Sequence, residues 1–269
     1  CGARVFVTSP YKADAVEAVT AATPKVETRF SLGGPLPGHA CFEDAVAAQS
    51  ADPDPDAVEG QDMLYSSGTT GRPKGVKSPL PNAALGRASS ITMMARFLFS
   101  AEEGVVYLSP APLYHAAPLR FCLGYQRLGC TVVVMERFDA EDALAAIEAH
   151  GVHTSQWVPT MFVRMLKLPE EVRAKYDVST IQVAVHAAAP CPREIKQKMI
   201  DWWGPLISEY YGGTEGAIVS IIGSEDWQKR PGSVGKPLPI VEGRILDSDG
   251  EACAAGEAGQ IYIRNMMTP

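Results

Sequence analysis

A chain of 269 residues with 46% apolar side chains can bury the core of one or two domains. Its formal net charge of −7 excludes a broad electrostatic grip on nucleic acid or on an anionic membrane, so any anion site has to be local. The six cysteines lack CxxC spacing, no apolar run approaches the ~20 residues that span a bilayer, and the first residues lack the charged-then-apolar pattern of a signal peptide; a reduced, cytoplasmic setting without an integral membrane segment is expected.

In chain order, strand-like Ala3 to Thr8 leads into the helix-period segment Lys12 to Ala22, and Gln49 to Gly60 is a Pro- and Asp-rich solvated loop. Strands are expected over Asp62 to Ser66, Val105 to Ser109, Thr131 to Glu136, His153 to Val158 and Ile181 to His186. Helices are expected over Asn82 to Phe99, Ala140 to His150 and Arg193 to Trp203. Strands alternating with helices predict layered α/β architecture with flanking helices for residues 1–215. From 216 to 269 the pattern changes to short strands, Ile218 to Ile222, Val241 to Asp247 and Gln260 to Arg264, with Gly, Pro and Asp turns and no helix between them, which predicts the start of a β-rich subdomain. The chain begins beside one strand without an initiator Met and stops beside another, so a longer parent is expected, with an N-terminal part and a C-terminal domain outside this segment. Apolar surface on the layer of Arg4 to Thr8 would then favour self-association.

The strand ending at Ser66 runs into Ser67-Gly68-Thr69-Thr70-Gly71-Arg72-Pro73-Lys74-Gly75. Glycines let backbone N–H groups approach an anion, hydroxyls rotate to donate, and Lys74 supplies a point charge, so the loop suits polyphosphate. It is not a Walker A loop: counting from Gly68, Pro73 stands at the second glycine and Gly75 follows the lysine. His150 and His153 have metal-like spacing, but Gly151 reads as a helix end between them. No Gly-x-Ser-x-Gly elbow is present. Met93, Met94, Phe97 and Phe99 read as a helix face packed on the sheet, and Trp202 and Trp203 as core.

The Ser66 to Gly75 string resembles the phosphate loop of the adenylate-forming (AMP-binding) superfamily, which holds acyl-CoA synthetases, luciferases and peptide-synthetase adenylation domains. Two further blocks agree in order: Ala189-Pro190-Cys191-Pro192 resembles its Gly-Ala-Pro segment beside adenine, and Tyr211-Gly212-Gly213-Thr214-Glu215 resembles its Tyr-Gly-x-Thr-Glu block. The resemblance implies that Ser66, Ser67, Gly68, Thr69, Thr70, Gly71 and Lys74 hold phosphates and that Ala187, Ala188, Ala189 and Pro190 line adenine. It further implies that Tyr211 stacks on adenine, with Gly212 and Gly213 beside it, that Thr214 bonds the α-phosphate, and that Glu215 helps hold Mg²⁺. Pro112-Leu113-Tyr114-His115 resembles a motif whose aromatic and histidine line the acyl site, and Trp157 to Phe162 resembles a segment beside that site.

The catalytic candidates are thus Lys74, His115, Thr214 and Glu215. The implied reaction is ATP-dependent activation of a carboxylic acid, fatty or bulky alicyclic, to acyl-AMP, followed by transfer to coenzyme A. Alternatives are transfer to a carrier-protein pantetheine arm or, for the isolated chain, nucleotide binding without turnover. Ala116 to Leu119 lacks the aspartate that amino-acid-activating members present, which disfavours an amino acid substrate. His186-Ala187-Ala188 occupies a stretch that is usually small and glycine-containing, which implies a bulkier pocket wall. The chain stops before the family's ribose-binding aspartate and its lysine-bearing domain, so the chain alone is expected to be inactive.

Overall fold

The computed structural model describes residues 2–66, 73–87, 89–214 and 218–266. The chain forms two compact units, residues 1–60 with 81–85 and residues 61–80 with 86–269. In the first unit, β1 (Val5–Thr8), α1 (Ala13–Ala22), β2 (Thr28–Ser31), β3 (Ala40–Cys41) and α2 (Phe42–Ala47) follow one another, and the three strands form a parallel sheet in the order β1-β2-β3. Val5 and Val7 are exposed.

The second unit opens with an antiparallel hairpin, β4 (Met63–Ser66) and β5 (Lys74–Lys77). It continues through α3 (Ser90–Phe99), β6 (Val106–Ser109), α4 (Ala116–Arg127), β7 (Thr131–Val134), α5 (Ala140–His150) and β8 (Thr154–Trp157). Next come α6 (Pro159–Leu166), α7 (Glu170–Arg173), β9 (Val183–His186), α8 (Arg193–Trp203), β10 (Ile207–Gly212), β11 (Ile218–Gly223), α9 (Ser224–Lys229) and β12 (Lys236–Pro237). Seven of these strands form one sheet in the order β12-β11-β10-β9-β8-β6-β7, parallel from β10 to β7 and antiparallel at β11 and β12. A final antiparallel pair, β13 (Val241–Leu246) and β14 (Gln260–Asn265), is separate from it.

The parallel sheet is buried on both faces, as such sheets require. On one face Leu144, Ile147, Phe162, Met165, Met199 and Trp203 of α5, α6 and α8 pack against Leu108, Trp157 and Ala184. On the other, Ala95, Phe99, Phe121 and Tyr125 of α3 and α4 pack against Tyr107 and Val185. Neighbouring strand residues 107 and 108 thus serve opposite cores, the period-two alternation of a strand. The Tyr125 hydroxyl closes the second core, donating to the Phe99 carbonyl at 2.8 Å and sharing a 2.6 Å hydrogen bond with Thr154.

Local chemistry sets the element ends. Asp139 caps α5 by accepting from the backbone of Glu141 and Asp142, and Gly151 at φ 57° ends it. Ser89 and Thr92 form a capping box that starts α3. The helix expected from Asn82 therefore begins only at Ser90, with Asn82 itself at φ 44° in the preceding loop. Of the expected α3 core face, Phe99 is fully buried, whereas Met93 and Phe97 point to solvent.

The layered α/β expectation holds, and α2, α4, α6, α7 and α9 join the four expected helices. In α4, Pro118 and Gly124 mask the helical period. Gly124 is required by packing, because a Cβ there would lie 2.9 Å from Ile91 Cγ2 of α3. In the stretch after residue 216, expected to hold strands without a helix, α9 forms because Ser224 is anchored in the core. Its hydroxyl donates to the Ile207 carbonyl at 2.8 Å and accepts from the Ile207 N–H at 3.1 Å, while Trp227 is buried. So short a helix depends on such tertiary contacts rather than on propensity. Of the three strands expected after 216, the first joins the large sheet as β11 and the other two pair as β13 and β14.

Candidate functional site

Because β6, β8, β9 and β10 run parallel, the segments that follow them leave the sheet at one edge. The chain passes from β6 outward to β7, then crosses back through α5 to β8 on the other side of β6, so strand order reverses between β6 and β8. The carboxyl ends of strands beside such a reversal form the crevice in which open α/β sheets bind ligands. Pro112 to His115 follows β6, Val158 and Pro159 follow β8, Ala187 to Pro190 follow β9, and Gly213 and Thr214 follow β10. The motif residues after β6, β9 and β10 are therefore gathered at one edge by topology.

His115 is the N-cap residue of α4, exposed, with its ring 4.5 Å from that of Tyr114. Ala187 is buried, whereas Ala188, Ala189 and Pro190 are exposed. Ala188 adopts φ 74°, a left-handed conformation that glycine takes more easily than alanine. On the neighbouring strand Tyr211 is 42% exposed, and Gly212 and Gly213 beside it are open to solvent. Its neighbour Tyr210 points inward: its ring lies 6.2 Å from that of Phe121, its hydroxyl accepts from Gln156 at 3.1 Å, and burial pushes its pKa up to about 12.

In the hairpin, Ser66 faces Lys74 across the ladder, so both bases of the loop 67–72 are fixed by strand pairing, and Lys74 is exposed. Ser67, Gly68, Thr69, Thr70, Gly71 and Glu215 lie outside the described residues. Arg120, which belongs to none of the motif blocks, joins the hairpin to the block after β10. Its Nε donates to Asp62 Oδ2 at 3.0 Å, its Nη2 lies 2.9 Å from the same oxygen as an ion pair, and its Nη1 donates to the Thr214 carbonyl at 3.0 Å. The Arg120 and Asp62 side chains are 13% and 8% exposed, so the pair works in a medium of reduced dielectric.

Behind the segment after β9 lies a buried charge cluster that sequence reading misses. Lys196 of α8 donates from Nζ to Glu209 Oε2 of β10 at 2.7 Å and lies 4.9 Å from the Trp227 ring centroid, and His186 Nε2 of β9 is 3.5 Å from the same carboxylate oxygen. Burial, reinforced by the Lys196 charge, drives the His186 pKa down to about 3, so its ring is neutral near pH 7. Burial also lowers the Lys196 pKa, opposed by its bond to Glu209. His186 is fully buried, edge-on to Phe162 with ring centroids 5.6 Å apart, so its bulk fills the core instead of the expected pocket wall. The amphipathic period of α8 places Lys196 on the buried face, which is the one sequence signal that could have exposed this cluster.

His153 Nδ1 accepts the Val106 N–H at 3.1 Å, a structural use of that ring. Among the described residues no group of three or more His, Cys, Asp or Glu could hold a metal ion, and no helix is long and apolar enough to cross a membrane. A groove between α6, α7 and α8, lined by Val163, Lys167, Arg173 and Trp202, includes none of the motif residues.

Comparison with known proteins places these features in context. The family model described as AMP-binding enzyme matches residues 1–268. 4-coumarate–CoA ligase-like 2 of Arabidopsis thaliana is 32% identical over 207 residues, covering 76% of this chain and 35% of that protein. The long-chain-fatty-acid–CoA ligase of Bacillus subtilis (strain 168) is 30% identical over 205 residues, covering 75% of this chain and 36% of its own length. The matched part is thus about a third of each curated relative. In fold, the inhibitor-bound N-terminal domain of FACL13 from Mycobacterium tuberculosis matches with a TM-score of 0.78 at 23% identity, covering 99% of this chain and 65% of that one.

Proposed function

This chain belongs to the AMP-binding enzyme family, and from that premise we propose that the protein carrying it activates a carboxylic acid with ATP and passes the acyl group to coenzyme A. Two CoA ligases among its relatives support that acceptor. The observation that carries the reading is the gathering of the Ala187 to Pro190 and Tyr211 to Thr214 blocks at the carboxyl ends of adjacent parallel strands, with the phosphate-loop hairpin tied to Thr214 through Arg120.

In the first step a carboxylate oxygen of the acid attacks the α-phosphorus of ATP, the bond from that phosphorus to the bridging oxygen breaks, and pyrophosphate leaves. The CoA thiol, once deprotonated, then attacks the acyl carbonyl carbon and AMP departs with its phosphate oxygen. No protein nucleophile is needed, so the work of the chain is positioning and charge stabilisation. Tyr211, half-exposed at the end of β10, offers a face for adenine, and Ala188 to Pro190 offer the opposite wall. The Thr214 hydroxyl donates to an α-phosphate oxygen, and Lys74 places its ammonium beside the phosphates at the base of the loop. Mg²⁺ would be held by Glu215 together with phosphate oxygens, a donor set that suits an ion which binds few protein carboxylates and retains water; it would supply countercharge to the phosphates. His115, at the start of α4, lines the acyl site, and a fatty or bulky alicyclic acid fits the absence of a carboxylate in Ala116 to Leu119.

Titration with ATP and Mg²⁺, followed by amide chemical-shift mapping, tests the placement. Shifts are expected at Ser66, Lys74, Ala188 to Pro190 and Tyr211 to Thr214. Shifts confined to the surroundings of His150 and His153 would overturn it.

A further inference from the structure

Arg120 stands outside every motif block, yet it holds two of them. Its contacts reach 58 residues back to Asp62 and 94 residues forward to Thr214, so three segments remote in sequence meet on one guanidinium. Asp62 immediately precedes β4, whose last residue is Ser66; Thr214 follows β10; and Arg120 itself lies on α4, which His115 caps. Gly213 alone stands between the end of β10 and Thr214, and glycine restrains the backbone least, so a tie from outside the segment matters there.

We infer that Arg120 is a positioning residue for adenylation, a role that rests on the function proposed above: it fixes the backbone that carries the Thr214 hydroxyl at a set distance from the phosphate-loop hairpin. Arg suits the task because its planar fork directs donors to two acceptors at once, where the compact ammonium of Lys is a single point of attachment. Asp62 neutralises the guanidinium and anchors it to β4, while Nη1 holds the Thr214 carbonyl. The account requires Arg120 to act through Thr214, since displacement of a reacting group by about 1 Å costs on the order of 100-fold in rate.

The test is a mutant cycle in the intact protein, read as acid-dependent ATP–pyrophosphate exchange. Arg120→Met leaves the Asp62 carboxylate buried without its partner and can impair folding. The double variant Asp62→Asn/Arg120→Met removes both charges, and folding of each variant is checked by its urea midpoint. The double variant is expected to lower kcat by roughly tenfold or more. Added to Thr214→Ala, it is expected to lower kcat by no more than about twofold beyond Thr214→Ala alone, the non-additivity of residues acting as one unit. Losses that multiply in folded protein would overturn the inference while leaving the functional reading intact, as would a double variant with wild-type kcat. Absence of exchange in the wild type with every acid would overturn the functional reading and the inference with it.

Discussion

In the intact protein, Thr214→Ala and Glu215→Gln are each expected to slow acid-dependent ATP–pyrophosphate exchange by about ten- to a thousand-fold, the range for losing one preorganised partner of a charged transition state. The proposed roles differ, and so do the expected signatures. Thr214 donates to an oxygen whose charge develops as the α-phosphorus is attacked, so its loss should fall mainly on kcat. Glu215→Gln removes a carboxylate and with it countercharge for Mg²⁺, so its defect should shrink as Mg²⁺ is raised, whereas that of Thr214→Ala should not. Steady-state exchange at several Mg²⁺ concentrations separates the two, and unchanged exchange in both variants would refute the assignment of this block.

The second large effect concerns stability. Lys196→Met leaves Glu209 buried without the ammonium 2.7 Å away and is expected to cost about 3–5 kcal/mol, the penalty for breaking a buried ion pair from one side. Lys196→Met/Glu209→Gln, which removes both charges, should recover most of that loss in urea unfolding. His186 adds a pH dependence. Its pKa of about 3 in the folded protein lies below the ordinary value of 6.5, so between these values the unfolded chain binds more protons. The contribution of neutral His186 is therefore fully present above about pH 6.5 and is lost as the pH falls towards 3. Lys196 is one cause of that depression, so in Lys196→Met His186 can take up a proton beside Glu209, and the stability gap to the wild type should narrow as the pH is lowered from 7 to 5. A gap that widens on acidification would contradict the arrangement of the cluster.

Much of the parallel sheet was legible because strands buried on both faces read as short apolar runs, as in Val106 to Ser109 and Val183 to His186. Helix α5 was legible to the residue because its cap and its stop, Asp139 and Gly151, are local signals. By contrast α4 was hidden, since Pro118 and Gly124 read as breakers and only close packing on Ile91 accounts for the glycine. The segment that becomes β10 showed its motif, Tyr211 to Thr214, but not the strand that aims it, because Ser208 and Glu209 interrupt the apolar run. For the site, three ordered blocks were visible as strings, whereas Arg120 with Asp62, and Lys196 with Glu209 and His186, were not. Those partners are set by strand order and helix packing, which bring together residues far apart in the chain.

The most direct test of adenylation at this site is acid-dependent exchange of labelled pyrophosphate into ATP, measured on the intact protein with Mg²⁺ and a panel of fatty, aromatic and alicyclic acids, with CoA withheld. Exchange that requires one class of acid and is abolished in Thr214→Ala/Glu215→Gln is the predicted result. Wild-type exchange that persists without any acid, or that survives the double substitution, would contradict it.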